Sequence, residues 1–213
     1  MRRSLLIATA LIGVVLLSSG CDIFGSDADY FPMSVGSVWN YEGYSLTEHT
    51  MDAVDTTMTM TQKIEALKKD NLDSGEEVTC FQMTTTTTLA FPETTYTTVD
   101  TGYLRKSGDY VLGYSSLGDT DPDTAFMTAL AAGKTWTSEG ATYEVIGQDD
   151  VSVMAGTYKN AWKVSVTEPP DTLIKTYMWY ADGIGNVKSY MQHTPAPGYT
   201  VTYNNELTSA TVK

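Results

Sequence analysis

From Tyr30 onward apolar and polar residues alternate singly along the chain, and a period of two marks half-buried β-strands rather than helices. In residues 57–67 the alternation places Met58, Met60, Ile64 and Ala66 on one face of a strand, with Thr59, Thr61, Lys63 and Glu65 on the other. Trp162, Val164 and Val166 alternate with Lys163, Ser165 and Thr167 in the same way. Over residues 173–180 both sets are largely apolar, Leu173, Tyr177 and Trp179 against Ile174, Thr176 and Met178, which predicts a strand covered on both faces. The threonine run 84–88 continues directly from residues 78–83. Threonine's branched Cβ suits a strand, so this segment reads as the solvated part of one long strand.

Turn chemistry punctuates these runs. Lys106-Ser107-Gly108-Asp109 separates Tyr103-Leu104 from Tyr110-Val111-Leu112, and Glu168-Pro169-Pro170-Asp171 separates the Trp162 strand from the next. Both predict hairpins between sequential antiparallel strands. The one helix-like piece is residues 124–132, alanine-rich and closed by Gly133, which predicts two helical turns at most or a loop. The chain therefore reads as all-β and as one domain, with no repeat and no dividing linker.

The first 21 residues follow a different pattern. Arg2 and Arg3 precede an apolar run from Leu5 to Leu17, and Ser18-Ser19-Gly20 lead into Cys21. The run is too short for a membrane span and has the layout of a cleaved export signal. Leu-Ser-Ser-Gly-Cys resembles the bacterial lipobox, in which the cysteine becomes the acylated first residue of the mature protein. Ser18 holds the place where that pattern usually has leucine, and Ser18 with Gly20 would also suit cleavage by ordinary signal peptidase. The expected organisation is a signal peptide at 1–20, a lipidated tether at 21–29 and a β domain at 30–213. The eight residues 22–29 reach about 26 Å when extended, so the domain is expected to hang close to its membrane.

Without residues 1–20 the chain has 11 basic and 26 acidic residues, a net charge of −15. Nucleic acid is excluded as an expected partner, because affinity for a polyanion is built from clustered Lys and Arg. Cys21 is assigned to lipid, and Cys80 lies in the apolar stretch Val78-Thr79-Cys80-Phe81, where a thiol acts as a small hydrophobe.

Three motifs bear a resemblance. They are Tyr30-Phe31-Pro32-Met33-Ser34-Val35-Gly36-Ser37-Val38-Trp39-Asn40-Tyr41, then Ala155-Gly156-Thr157-Tyr158 between two strands, then Trp179-Tyr180-Ala181-Asp182-Gly183-Ile184-Gly185-Asn186-Val187-Lys188. With a closing Glu206-Leu207 strand, the set resembles a group of bacterial envelope lipoproteins of unknown function. The resemblance implies a single antiparallel, strongly curved sheet or half-barrel of sequential strands, and no particular activity. The same residues have a structural role to expect: Trp39 and Tyr41 as core anchors, and Gly156, Gly183 and Gly185 as turn formers.

Candidate chemistry is sparse. His49 and His193 stand in no ligand spacing, and no metalloprotease or nucleophile-elbow motif is present. Gly133-Lys134-Thr135 lacks the first glycine of a phosphate loop. Asp119-Thr120-Asp121-Pro122-Asp123 has the alternating carboxylates of a calcium loop, but Thr124 stands where glycine belongs and Leu130 where glutamate belongs. The expectation is a non-catalytic envelope lipoprotein without cofactor or metal, facing the periplasm or the cell surface. Its partners would be membrane lipid through the anchor and an envelope protein or glycan, met by exposed tyrosines such as Tyr44, Tyr96, Tyr103, Tyr110 and Tyr114. The alternative is a carrier or sensor of an acyl chain held on the concave Met58, Met60 and Ile64 face, since methionine adapts to irregular apolar ligands.

Overall fold

In the computed structural model, which describes residues 28–48, 53–71, 75, 77–119, 121–168 and 173–213, the chain forms a 12-stranded antiparallel sheet. The strands are β1 (Val38–Glu48), β2 (Ala53–Asn71), β3 (Glu77–Phe91), β4 (Thr94–Ser107), β5 (Tyr110–Tyr114), β6 (Asp123–Met127), β7 (Thr135–Ser138), β8 (Ala141–Val153), β9 (Gly156–Thr167), β10 (Ile174–Ala181), β11 (Gly185–Ala196) and β12 (Tyr199–Thr211). Their order in the sheet is β6 back to β1, then β12 back to β7. Each half is thus a meander of sequential hairpins, and the first strand joins the halves by pairing with the last. The expected hairpin at Gly108 is present, with Ser107 opposite Tyr110. The threonine run lies inside β3 as expected.

Repeated β-bulges curl the sheet. Register shifts occur between Asn40 and Tyr41, Ile64 and Ala66, Val111 and Leu112, Val145 and Gly147, and Trp179 and Tyr180, and each bulge bends its strand and raises the local twist. The two edge strands β6 and β7 come together at a seam. There Phe126 meets Trp136 edge-on with ring centroids 5.8 Å apart, and the Glu139 N–H donates to the Asp123 carboxylate at 3.3 Å. The result is a nearly closed barrel in which the two terminal edge strands β6 and β7 face each other across the seam.

Two expectations are corrected here. Residues 123–127 are a strand, not a helix, and the chain bends after Met127. Pairing with β5 buries Phe126 and Met127 in the core, and that burial outweighs alanine's weak helical preference. Ala66 does not share a face with Ile64. Ile64 is opposite Met83 whereas Ala66 is opposite Gln82, so the bulge between them turns every later side chain of β2 to the other face.

The interior is filled by two groups of side chains. One joins Met33, Leu104, Val111, Phe126, Trp136, Val145, Val164 and Tyr180; the other joins Trp39, Tyr41, Ile64, Val187 and Leu207. Cys80 is wholly buried in a third cluster with Val78 and Tyr114, consistent with its reading as a small hydrophobe.

Candidate functional site

The segment before β1 is a strap across one mouth of the barrel. Its Asp29 N–H donates to the Asp182 carboxylate at 2.8 Å, and the Asp29 carbonyl accepts from the Gly183 N–H at 2.9 Å. Lys106 pairs with the Asp29 carboxylate at 2.9 Å. Phe31 packs on Phe126 with centroids 5.3 Å apart, and Met33 is buried. Two of the sequence motifs therefore meet in space. Trp39 Nε1 donates to the Ile184 carbonyl at 2.6 Å and the Tyr41 hydroxyl to the Asn186 carbonyl at 3.0 Å, so the Trp-x-Tyr pair holds the glycine turn from inside. Gly185 has φ +97°, and a Cβ there would make only ordinary contact with Pro32 at 3.5 Å; the position needs glycine for its conformational range.

Burial raises the Tyr41 and Tyr180 hydroxyls well above the ordinary tyrosine value of 10.0, with neighbouring tyrosines adding to the shift. The native state therefore holds these protons at pH values where an unfolded chain releases them. Their contribution to stability is full below pH 10 and is lost as pH rises toward the folded-state value. We expect alkaline titration, followed by phenolate absorbance and circular dichroism together, to show a late tyrosine fraction that ionises only as the protein unfolds. Tyr41→Phe should shrink that fraction, and its ionisation ahead of unfolding in the parent would refute the assignment.

The concave face offers little room. Ile64 is buried, Met60 packs against the core and Met58 is half-buried toward the opposite mouth. Among Phe31, Trp39, Tyr41, Ile64 and Met83 the remaining cavity is about 40 Å³, space for a few water molecules. An acyl chain along Met60 and Ile64 would have to displace these packed side chains.

The tyrosines singled out in the sequence do not converge. Tyr96 is 61% exposed on the β3–β4 hairpin, Tyr110 begins β5 near the strapped mouth, and Tyr103 packs against the Cys80 cluster with Tyr114. Gly156, at φ +142°, sits at the β8–β9 turn. Cys21 and His49 lie outside the described residues.

A different aromatic group is assembled on the outer face by register alone. Tyr44 is opposite Asn204, Asn204 opposite Tyr190 and Tyr190 opposite Tyr177. In the adjacent row Glu42, Glu206, Lys188, Trp179 and Lys163 follow one another across five strands. Lys188 donates to Glu206 at 2.7 Å. Burial alone would raise the Glu206 carboxyl, but hydrogen bonds from Lys188 and Asn204 and the Lys188 charge outweigh it, holding the group below its ordinary value. Lys163 lies 4.5 Å from the Tyr177 ring centroid and 5.2 Å from that of Trp179, a favourable placement of a cation on aromatic faces. The patch combines flat aromatic surface with amide, ammonium and carboxylate groups, and its charges are locally balanced in an acidic protein. Tyr177 and Trp179 were legible as strand residues; nothing in their spacing showed that Tyr190 would be their neighbour.

At the seam an open cleft of about 440 Å³ is bordered by Asp119, Asp121, Asp123, Glu139 and Tyr143. Hydrogen bonds from the Ser115 side chain and from the Asp121 and Ser115 backbone hold Asp119 below the ordinary carboxyl value. Asp119 is thereby occupied in stabilising its own turn. Among the described residues no group of three or more His, Cys, Asp or Glu is arranged to hold a metal ion.

No protein-family model matches the chain, and no curated protein matches it. Two solved structures are similar in fold. A candidate lipoprotein from Parabacteroides distasonis ATCC 8503 aligns with a TM-score of 0.48 and 13% identity, over 88% of this chain and 100% of that one. A candidate exported protein with a YmcC-like fold, from Bacteroides fragilis NCTC 9343, aligns with a TM-score of 0.41 and 15% identity over 86% and 99% of the two chains.

Proposed function

We propose that this chain is a cell-envelope lipoprotein, tethered through an acylated Cys21, whose β domain is a non-catalytic binding or structural module. The observation that carries the reading is the strap. The residues that follow the tether are bonded into the barrel mouth through Asp29, Phe31 and Met33, so a short anchor would hold the domain through its most firmly attached end. That mouth would then face the membrane, and the opposite mouth would point away from it. The outer aromatic patch around Tyr44, Tyr177, Trp179 and Tyr190 is the surface best suited to a protein or neutral glycan partner. A polyanion would be repelled by the net charge of the domain. Carriage of an acyl chain is the weaker reading, because the concave face is occupied by the protein's own side chains.

Metabolic labelling with a palmitate analogue tests the anchor. The wild type should carry label and sediment with membranes, and Cys21→Ser should lose both properties. An unlabelled wild type in the soluble fraction would mean that Ser18 at the lipobox position directs ordinary secretion instead.

A further inference from the structure

We propose that the outer edge of β4 is a self-association site, where two copies of this chain pair antiparallel across a two-fold axis to join their sheets. β4 runs from Thr94 to Ser107, but β5 covers it only from Tyr103 to Ser107. From Thr94 to Thr101 every residue is exposed, so the backbone groups directed away from β3 along this stretch have no neighbouring strand. An uncovered edge of this kind is a template for another strand.

The overhanging edge of β8 is treated differently. β8 also extends past its neighbour β7, which pairs only with residues Ala141 to Glu144. Beyond that point β8 carries bulges between Val145 and Gly147 and between Asp149 and Val151, with Asp149 and Asp150 side by side. Bulges and charges are the usual devices that block edge pairing. β4 has no bulge in its uncovered stretch and only one charge there. Its register with β3 is unbroken from Phe81 opposite Leu104 to Phe91 opposite Thr94. Between Thr94 and Thr101 it holds five threonines, Tyr96, Val99 and a single carboxylate, Asp100.

The residues of the edge select a second copy as the occupant. Two strands that present the same edge and run antiparallel must keep the same face, so the pairing centres on a residue and not between two. Centred on Thr97, it sets Tyr96 opposite Thr98, Thr95 opposite Val99 and Thr94 opposite Asp100. Centred on Thr98, it sets Thr97 opposite Val99 and Tyr96 opposite Asp100. In either register the lone carboxylate faces a neutral residue, and the Thr97-centred one matches Tyr96 with Thr98 and Thr95 with Val99, aromatic and β-branched partners of the kind that stabilise sheets. The same chemistry already operates across β3 and β4, where the Thr88 and Thr97 hydroxyls lie 3.0 Å apart. With one carboxylate between Thr94 and Thr101, this strip adds little repulsion between two copies of an acidic chain. A basic partner strand would find only Asp100 to pair with.

Disulfide trapping in the full-length chain tests the pairing. Thr97→Cys or Thr98→Cys, whichever sits on the axis, should form a covalent homodimer under mild oxidation, about ten-fold more than Tyr44→Cys on the outer face of β1. Cys80 is buried and should add no background. The double variant Thr97→Lys/Thr98→Lys, which sets lysine against lysine in either register, should sediment as a monomer while melting like the parent. The proposal is overturned if folded Thr97→Cys and Thr98→Cys both stay monomeric. It is equally overturned if either forms its adduct with a different protein, which would assign the edge to a foreign strand.

Discussion

Replacing Gly43 with alanine is expected to force β1 and β12 apart. The Cβ of any larger residue would overlap the Asn204 carbonyl oxygen and lie 2.9 Å from the Asn205 Cα. The obstacle is main chain, which cannot rotate away as a side-chain end would. Overpacking of a close-packed interior typically costs about 1–3 kcal/mol, and a backbone obstacle places this variant at about 3 kcal/mol or above. For a domain of this size that corresponds to roughly 6–12 °C in melting temperature. The β1–β12 pairing is also what joins the two meanders, so the damage should appear in both. Hydrogen exchange should show lost protection in β1 and β12 first. A Gly43→Ala protein that melts with the parent would show that the two strands separate more freely than their register implies.

Trp39→Ala should be the more damaging change. Trp39 is 6% exposed, packs within the Tyr41, Ile64 and Leu207 group, and donates to the Ile184 carbonyl at 2.6 Å. Truncating a buried tryptophan costs about 3–5 kcal/mol, which corresponds to roughly 6–20 °C in melting temperature. Trp39→Phe separates the two contributions, since it keeps an aromatic ring and removes the donor. It should fall between parent and alanine variant, because the Ile184 carbonyl would lose its partner at the glycine turn. If Trp39→Ala melts with the parent, the ring does not anchor the core, and a contact role for Trp39 becomes the better account.

Much of the fold was legible before any coordinates. A period of two needs only local residues to be read, and it located the strands at residues 57–67, 162–167 and 173–180 together with the Gly108 hairpin. For residues 124–132 the expectation was two helical turns at most or a loop; 128–132 are irregular, and 124–127 are a strand for a nonlocal reason, because Phe126 and Met127 are drawn into β6 by burial against other strands. Ala66 failed through a single bulge, which the spacing of apolar residues does not announce. Of the candidate site residues, Trp39 and Tyr41 are buried and donate to the Ile184 and Asn186 carbonyls, and Gly183 and Gly185 have positive φ. Of the tyrosines grouped as contacts, Tyr44 lies in the outer row with Tyr190 and Tyr177, while Tyr96, Tyr103, Tyr110 and Tyr114 lie elsewhere on the sheet.

By itself the sequence determined that this protein is a run of antiparallel strands, with turns at its glycines and prolines and an acidic surface. These follow from side-chain alternation, backbone conformational range and charge, all local or additive properties. Only the tertiary structure decided which strands end as neighbours, which face survives a bulge, that the Phe31-Pro32 motif straps the glycine turn, and that β4 outruns β5. Each depends on register between segments far apart in the chain, and a shift of one residue there exchanges the buried and exposed faces without changing the sequence pattern.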